Sequence, residues 1–102
     1  MKKTIPALAA AAALTLTACS ARPQPWPPTM AQALRWSGCA HMTGLYHGQM
    51  FTSAAADCTL GGRAAQIATF PGPGDQRMWE QFGRTLGFVI LKDGPGWAVA
   101  SR

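Results

Sequence analysis

The chain has 102 residues, nearly half of them hydrophobic, with nine Lys and Arg against four Asp and Glu. That length excludes a multidomain enzyme and leaves room for one small core. Without Lys2 and Lys3, seven basic and four acidic side chains remain, a net of +3, and Arg22, Arg35, Arg63, Arg77, Arg84, Lys92 and Arg102 form no run. A nucleic-acid binder would gather such charges on one face with aromatics between them, so that class is set aside.

The N-terminus opens with Met1-Lys2-Lys3, followed by an apolar run from Ile5 to Leu16. A bilayer-spanning helix needs about 17–25 residues, so the run is too short to cross. It has the length of a signal h-region, roughly 7–15 residues before a small-residue cleavage site. The next residues, Leu16-Thr17-Ala18-Cys19, resemble the lipobox of bacterial lipoprotein signal peptides. The resemblance implies a diacylglyceryl thioether on Cys19, cleavage after Ala18, and acylation of the new N-terminus. It also implies a protein held at the cell membrane or outer membrane, facing the extracytoplasmic side. Ser20 after the Cys permits outer-membrane sorting under the same resemblance. Residues 1–18 are then a signal peptide.

Ser20 to Pro28 carries Pro23, Pro25, Pro27 and Pro28, which favour extended polyproline II and forbid a helix. Residues 19–28 therefore read as a semi-rigid tether, with Trp26 able to lie at the lipid interface. The remaining domain, 29–102, begins with Thr29 as N-cap of a short helix from Met30 to Ser37, stopped by Gly38. Cys39 follows the helix end. A strand is expected in Thr43–Thr52, around Leu45, Tyr46, Met50 and Phe51, and a loop over Ser53–Ala56.

With Cys19 lipidated, Cys39 and Cys58 are an even pair in an oxidising compartment. A disulfide is expected between them, two free or metal-bound thiols being the alternative. Cys58-Thr59-Leu60, Gly61-Gly62 and Arg63 to Phe70 read as a β-hairpin, since two glycines supply the positive φ of a tight turn. Asp75 is placed as cap of a second helix, Gln76 to Leu86. Met78, Trp79, Phe82 and Leu86 form its apolar stripe, with Glu80 and Arg84 paired on the other side. Phe88 to Leu91 and Trp97 to Ala100 read as two strands joined by Asp93-Gly94-Pro95-Gly96.

The expected fold is α+β: a small, mainly antiparallel sheet of four to five strands packed by one main helix, plus the short N-terminal helix. The segments Cys58-Thr59-Leu60-Gly61-Gly62, Thr69-Phe70, Trp79 and Gly96-Trp97-Ala98-Val99 resemble small actinobacterial lipoproteins of undefined function. That resemblance implies fold and anchoring only.

Candidate chemistry is sparse. His41, Met42, His47 and Met50 offer imidazole and thioether ligands suited to copper, so a metal-handling lipoprotein is the alternative function. Met30, Met42, Met50 and Met78 read equally as core gap-fillers. Ser53 with His41 or His47 and Asp57 lacks a nucleophile-elbow pattern, and Asp57, Asp75, Glu80 and Asp93 lie far apart in sequence. Gly72-Pro73-Gly74 lacks the Lys-Ser/Thr of a nucleotide loop. Trp36, Trp79, Trp97 and Tyr46 either build the core or line a peptide or glycan groove, and their exposure decides which. The leading expectation is a lipid-anchored binding or accessory module without enzymatic activity or cofactor. Its partners are the membrane and an envelope protein, peptide or glycan, with no nucleic acid.

Overall fold

The computed structural model describes residues 26–102. The lipobox with Cys19, the signal segment and the tether up to residue 25 lie outside the described residues. The elements run α1 (Met30–Ser37), β1 (Ala40–Tyr46), β2 (Ala54–Leu60), β3 (Arg63–Thr69), α2 (Pro73–Thr85), β4 (Val89–Gly94) and β5 (Trp97–Ser101). The five strands form one antiparallel sheet in the order β1-β2-β3-β5-β4. This is the α+β architecture that the hairpins and the helical stripe predict.

Side chains alternate between sheet faces with period two. One cross-strand row reads Leu45, Ala56, Ile67, Val99, Lys92 from β1 to β4. On this face Ala33, with Met30 and Leu34 of α1, packs over Ile67, Val99, Trp97 and the two cysteines. The adjacent row, Tyr46, Ala55, Ala68, Ala98, Asp93, faces the other way. Its three central alanines leave a shallow trough, filled by Phe70 and overlaid by Trp26 and by Trp79 of α2. Phe70 and Trp79 meet edge to face, centroids 5.4 Å apart. The two helices thus cover opposite faces, and the short one covers the larger of the two buried clusters.

Local chemistry fixes the ends of α1. Thr29 Oγ1 accepts from the Gln32 amide at 3.1 Å while the Thr29 amide donates to Gln32 Oε1 at 2.9 Å, a reciprocal capping box. At the other end the Gly38 amide donates to the Leu34 carbonyl. Ser37, fully buried, donates its hydroxyl to Leu34 O and accepts from the Cys39 amide. Its carbonyl receives the Lys92 ammonium at 2.8 Å, so β4 supplies a cation to the helix C-terminus. A disulfide joins Cys39 to Cys58 with Cα atoms 5.7 Å apart, tying the start of β1 to β2.

The structure corrects several boundaries. The stretch Ser53–Ala56 is not a loop, since β2 begins at Ala54 and both Ala55 and Ala56 are fully buried. Alanine has little strand preference of its own, but each face demands a small side chain where a helix or ring lies close. The strand expected in Thr43–Thr52 starts earlier and ends at Tyr46, with a bulge between Ala40 and Gly44 where His41 takes φ 56°. Helix α2 begins at Pro73, not Gln76, and Gly72 is its N-cap without a side-chain hydrogen bond. Proline suits the first helical position because its missing amide would be unpaired there anyway. Asp75 therefore sits inside the first turn rather than capping it. Gly61 and Gly62, φ 59° and 77°, make the hairpin turn as expected.

Candidate functional site

The site is built by the way α2 is turned on the sheet. Residues four apart on a helix stack along one line. The line Gln76, Glu80 faces inward, and Glu80 is the buried residue of the helix. The line Met78, Phe82, Leu86 stays about half exposed, at 49%, 49% and 56%. The apolar stripe thus lies on the flank of the helix rather than beneath it, with Trp79 alone reaching the trough. The expectation that Glu80 lies on the solvent side is overturned, although its ion pair with Arg84 is present at 3.5 Å.

Gln76 accounts for the inward polar line. Its amide nitrogen donates to Gly94 O at 2.9 Å, Trp97 O at 3.1 Å and Glu80 Oε2 at 3.1 Å, and its Oε1 accepts from the Gly96 amide at 2.9 Å. One side chain thereby clasps the β4–β5 turn. The turn is tight as well: a Cβ on Gly94 would meet the Trp97 indole at 2.6–2.8 Å, so glycine is required there. Beside the clasp is an open cleft of about 390 Å³ between Trp26, Arg77, Glu80, Asp93 and Pro95. Burial raises the Glu80 pKa above the usual carboxyl range. The hydrogen bond from Gln76 opposes this, the adjacent Asp93 carboxyl adds to it, and Arg84 offsets part. Sequence distance hides this carboxyl pair; the α2–β4 packing creates it.

On the opposite flank of α2 lies an apolar groove of about 220 Å³. Its floor is Trp79, Phe88, Gln66 and Ala100, and its rim is Phe82, Leu86 and Met50. Met50 is 62% exposed. The turn that carries Met50 and Phe51 is closed by the amide and hydroxyl of Thr52, both donating to Gln49 O. Phe51 lines the groove with φ 71°, a left-handed conformation that a bulky residue rarely adopts. The Arg102 guanidinium lies 4.8 Å above the Phe88 ring at the groove's edge.

The residues singled out from sequence are dispersed. His41 sits in the β1 bulge, Met42 on the same strand, His47 just past its end and Met50 on the groove rim. At about 3.3 Å per residue a strand carries His41 and His47 on the order of 15–20 Å apart, beyond the span of one ion's ligand shell. Among the described residues, no group of three or more His, Cys, Asp or Glu side chains gathers as a metal site. His47 Nδ1 approaches the Ser53 carbonyl at 3.5 Å, not its hydroxyl. Asp57 accepts the Tyr46 hydroxyl, and that bond, with the charge of Asp57, raises the tyrosine's pKa. Gly72-Pro73-Gly74 opens α2 and serves as its start signal. Of the aromatics, Trp97 is buried and Trp79 half-buried, whereas Trp36 and Tyr46 are 38% and 42% exposed. Met42, Met50 and Met78 are exposed, so only Met30 fills a core gap.

The groove is not legible as such in the sequence. Its signal in the sequence is the stripe Met78, Phe82, Leu86, which reads as core when the helix is assumed to face the sheet with it. Among the described residues no helix is long and apolar enough to cross a membrane. No family model, no curated protein and no solved structure matches the chain.

Proposed function

We propose that the chain is a lipid-anchored protein of the cell envelope, attached through Cys19, whose disulfide-stapled domain is a binding module without catalytic activity. The anchor rests on the lipobox and its flanks, Met1-Lys2-Lys3 and the apolar run from Ile5 to Leu16. Two or three acyl chains on Cys19 would hold it stably, since one chain binds only marginally. The observation that carries the binding role is the groove beside α2. Met50, Phe82 and Leu86 line it about half exposed, Met78 continues the line of Phe82 one turn earlier on the helix, and such a patch on a domain this small marks an interaction surface. The His and Met set draws no comparable support, because His41 and Met42 lie on β1, His47 beyond its end and Met50 on the groove rim.

The anchor is tested by the mass and N-terminal sequence of the protein purified from membranes. The expected species begins at an acylated Cys19, and Cys19→Ala accumulates the uncleaved precursor. A wild-type protein that begins at Met1 without fatty acid overturns the anchor. The groove is tested by Phe82→Gln, which should weaken binding at this surface while leaving the domain folded, since Phe82 is half exposed.

A further inference from the structure

We infer that the apolar flank of α2 is a bilayer-docking face, with Met50, Met78, Phe82 and Leu86 seated among lipid acyl chains and Arg102 at the headgroup level. The inference rests on the proposed anchor at Cys19 and adds an orientation of the domain to it.

Three observations converge. Trp26 packs on the same sheet face as α2 and borders the cleft at the start of that helix. Cys19 is seven residues upstream of Trp26. Seven residues reach at most roughly 25 Å, and the thirteen residues of α2 span about 20 Å. A chain fixed at Cys19 therefore keeps the whole length of α2 within reach of the bilayer and holds that helix at high effective concentration there.

The second observation is the chemistry of the groove. Its lining holds no carboxylate, its polar members being Gln49 and Gln66. Arg102 stacks on Phe88 at the edge, a cation placed where anionic headgroups would meet an inserted apolar rim. The acidic groups of α2 are elsewhere: Glu80 is turned inward, and Asp75 lies in the first turn, before Met78. The third is shape. Met78, Phe82 and Leu86 form a line along the helix, parallel to its axis, as a helix lying in an interface presents them.

The test uses the protein purified from its native membrane, with methionine methyl groups labelled for NMR and the mass of its N-terminus recorded on the same sample. It is placed on bilayers of phosphatidylcholine and phosphatidylglycerol whose acyl chains carry a nitroxide. The Met50 and Met78 methyls are expected to broaden about fivefold more than that of Met30, which packs on the far face of the sheet, because only a seated flank comes within nitroxide range. Phe82→Gln with Leu86→Gln should abolish the difference; both side chains are half exposed, so the fold does not depend on them. An acylated protein that stays on the bilayer with all methyls equally sharp overturns the docking face and leaves the anchor standing. Selective broadening in a protein without acyl groups supports the docking face and overturns the anchor. A stable dimer that shields Met50 and Met78 from the nitroxide assigns the groove to a second copy and overturns the proposal.

Discussion

Replacing Gln76 by alanine tests whether one side chain locks the β4–β5 turn to α2. The Gly96 amide is buried and donates to Gln76 Oε1. A buried donor left without an acceptor costs about 1–3 kcal/mol, and each of the bonds to Gly94 O and Trp97 O contributes about 0.5–1.5 kcal/mol. The neighbouring cleft admits water, which recovers part of the loss, so the net is about 2–4 kcal/mol. For a domain of this size that corresponds to a fall in Tm of roughly 10–25 °C. Urea unfolding with the disulfide intact, followed by tryptophan fluorescence, measures it. Gln76→Glu separates hydrogen bonding from packing. It keeps the shape but sets a carboxylate against Gly94 O, Trp97 O and Glu80, so its deficit should grow between pH 4 and pH 7. A Gln76→Ala loss below about 1 kcal/mol would refute the clasp, because not even one orphaned buried amide could then be present.

Glu80→Gln should remove a pH dependence. The native state holds a proton on Glu80 above the ordinary carboxyl value of 4.5, where the unfolded chain has released it. Wild-type stability therefore falls as pH rises from that value, and the variant stays flat across the same window; equal slopes in urea midpoints would contradict the burial of this carboxyl. Loss of the disulfide in Cys39→Ser with Cys58→Ser should cost about 3 kcal/mol for a closed loop of this length, read by the same urea assay. Lys92→Met strips the Ser37 carbonyl of its cationic partner and should cost about 1–2 kcal/mol, with faster amide exchange confined to the last turn of α1.

Much of the fold is legible from local chemistry. Thr29 with Gln32 and Gly38 delimit α1 to the residue, and Gly61-Gly62 marks the central hairpin, because these signals act within four positions of the chain. Ala54–Ala56 is illegible for the converse reason: alanine carries no local preference strong enough to declare a strand, and only the neighbours β1 and β3 make it one. The Cys39–Cys58 bond follows from counting thiols, a global property of the sequence. The groove beside α2 requires knowing the helix's rotation, which Gln76 and the Gly94–Trp97 turn set from about twenty residues away. A stripe of Met78, Phe82 and Leu86 looks the same in sequence whether it is covered or bare. The same holds for Glu80 and Asp93, whose proximity is a product of tertiary packing alone.

The Cys39–Cys58 bond also makes the border of the sheet answer to redox conditions. Strand β1 is a border strand, kinked at His41 and carrying exposed Met42, Leu45 and Tyr46. Thiol-rich cytosol keeps such a bond open. With the bond open, β1 would be held by its ladder to β2 and the Tyr46–Asp57 hydrogen bond, and its loss would bare the Ala54–Leu60 edge to proteases and to other strands. A single covalent bond, sensitive to its redox surroundings, thus decides how firmly the sheet keeps its outermost strand.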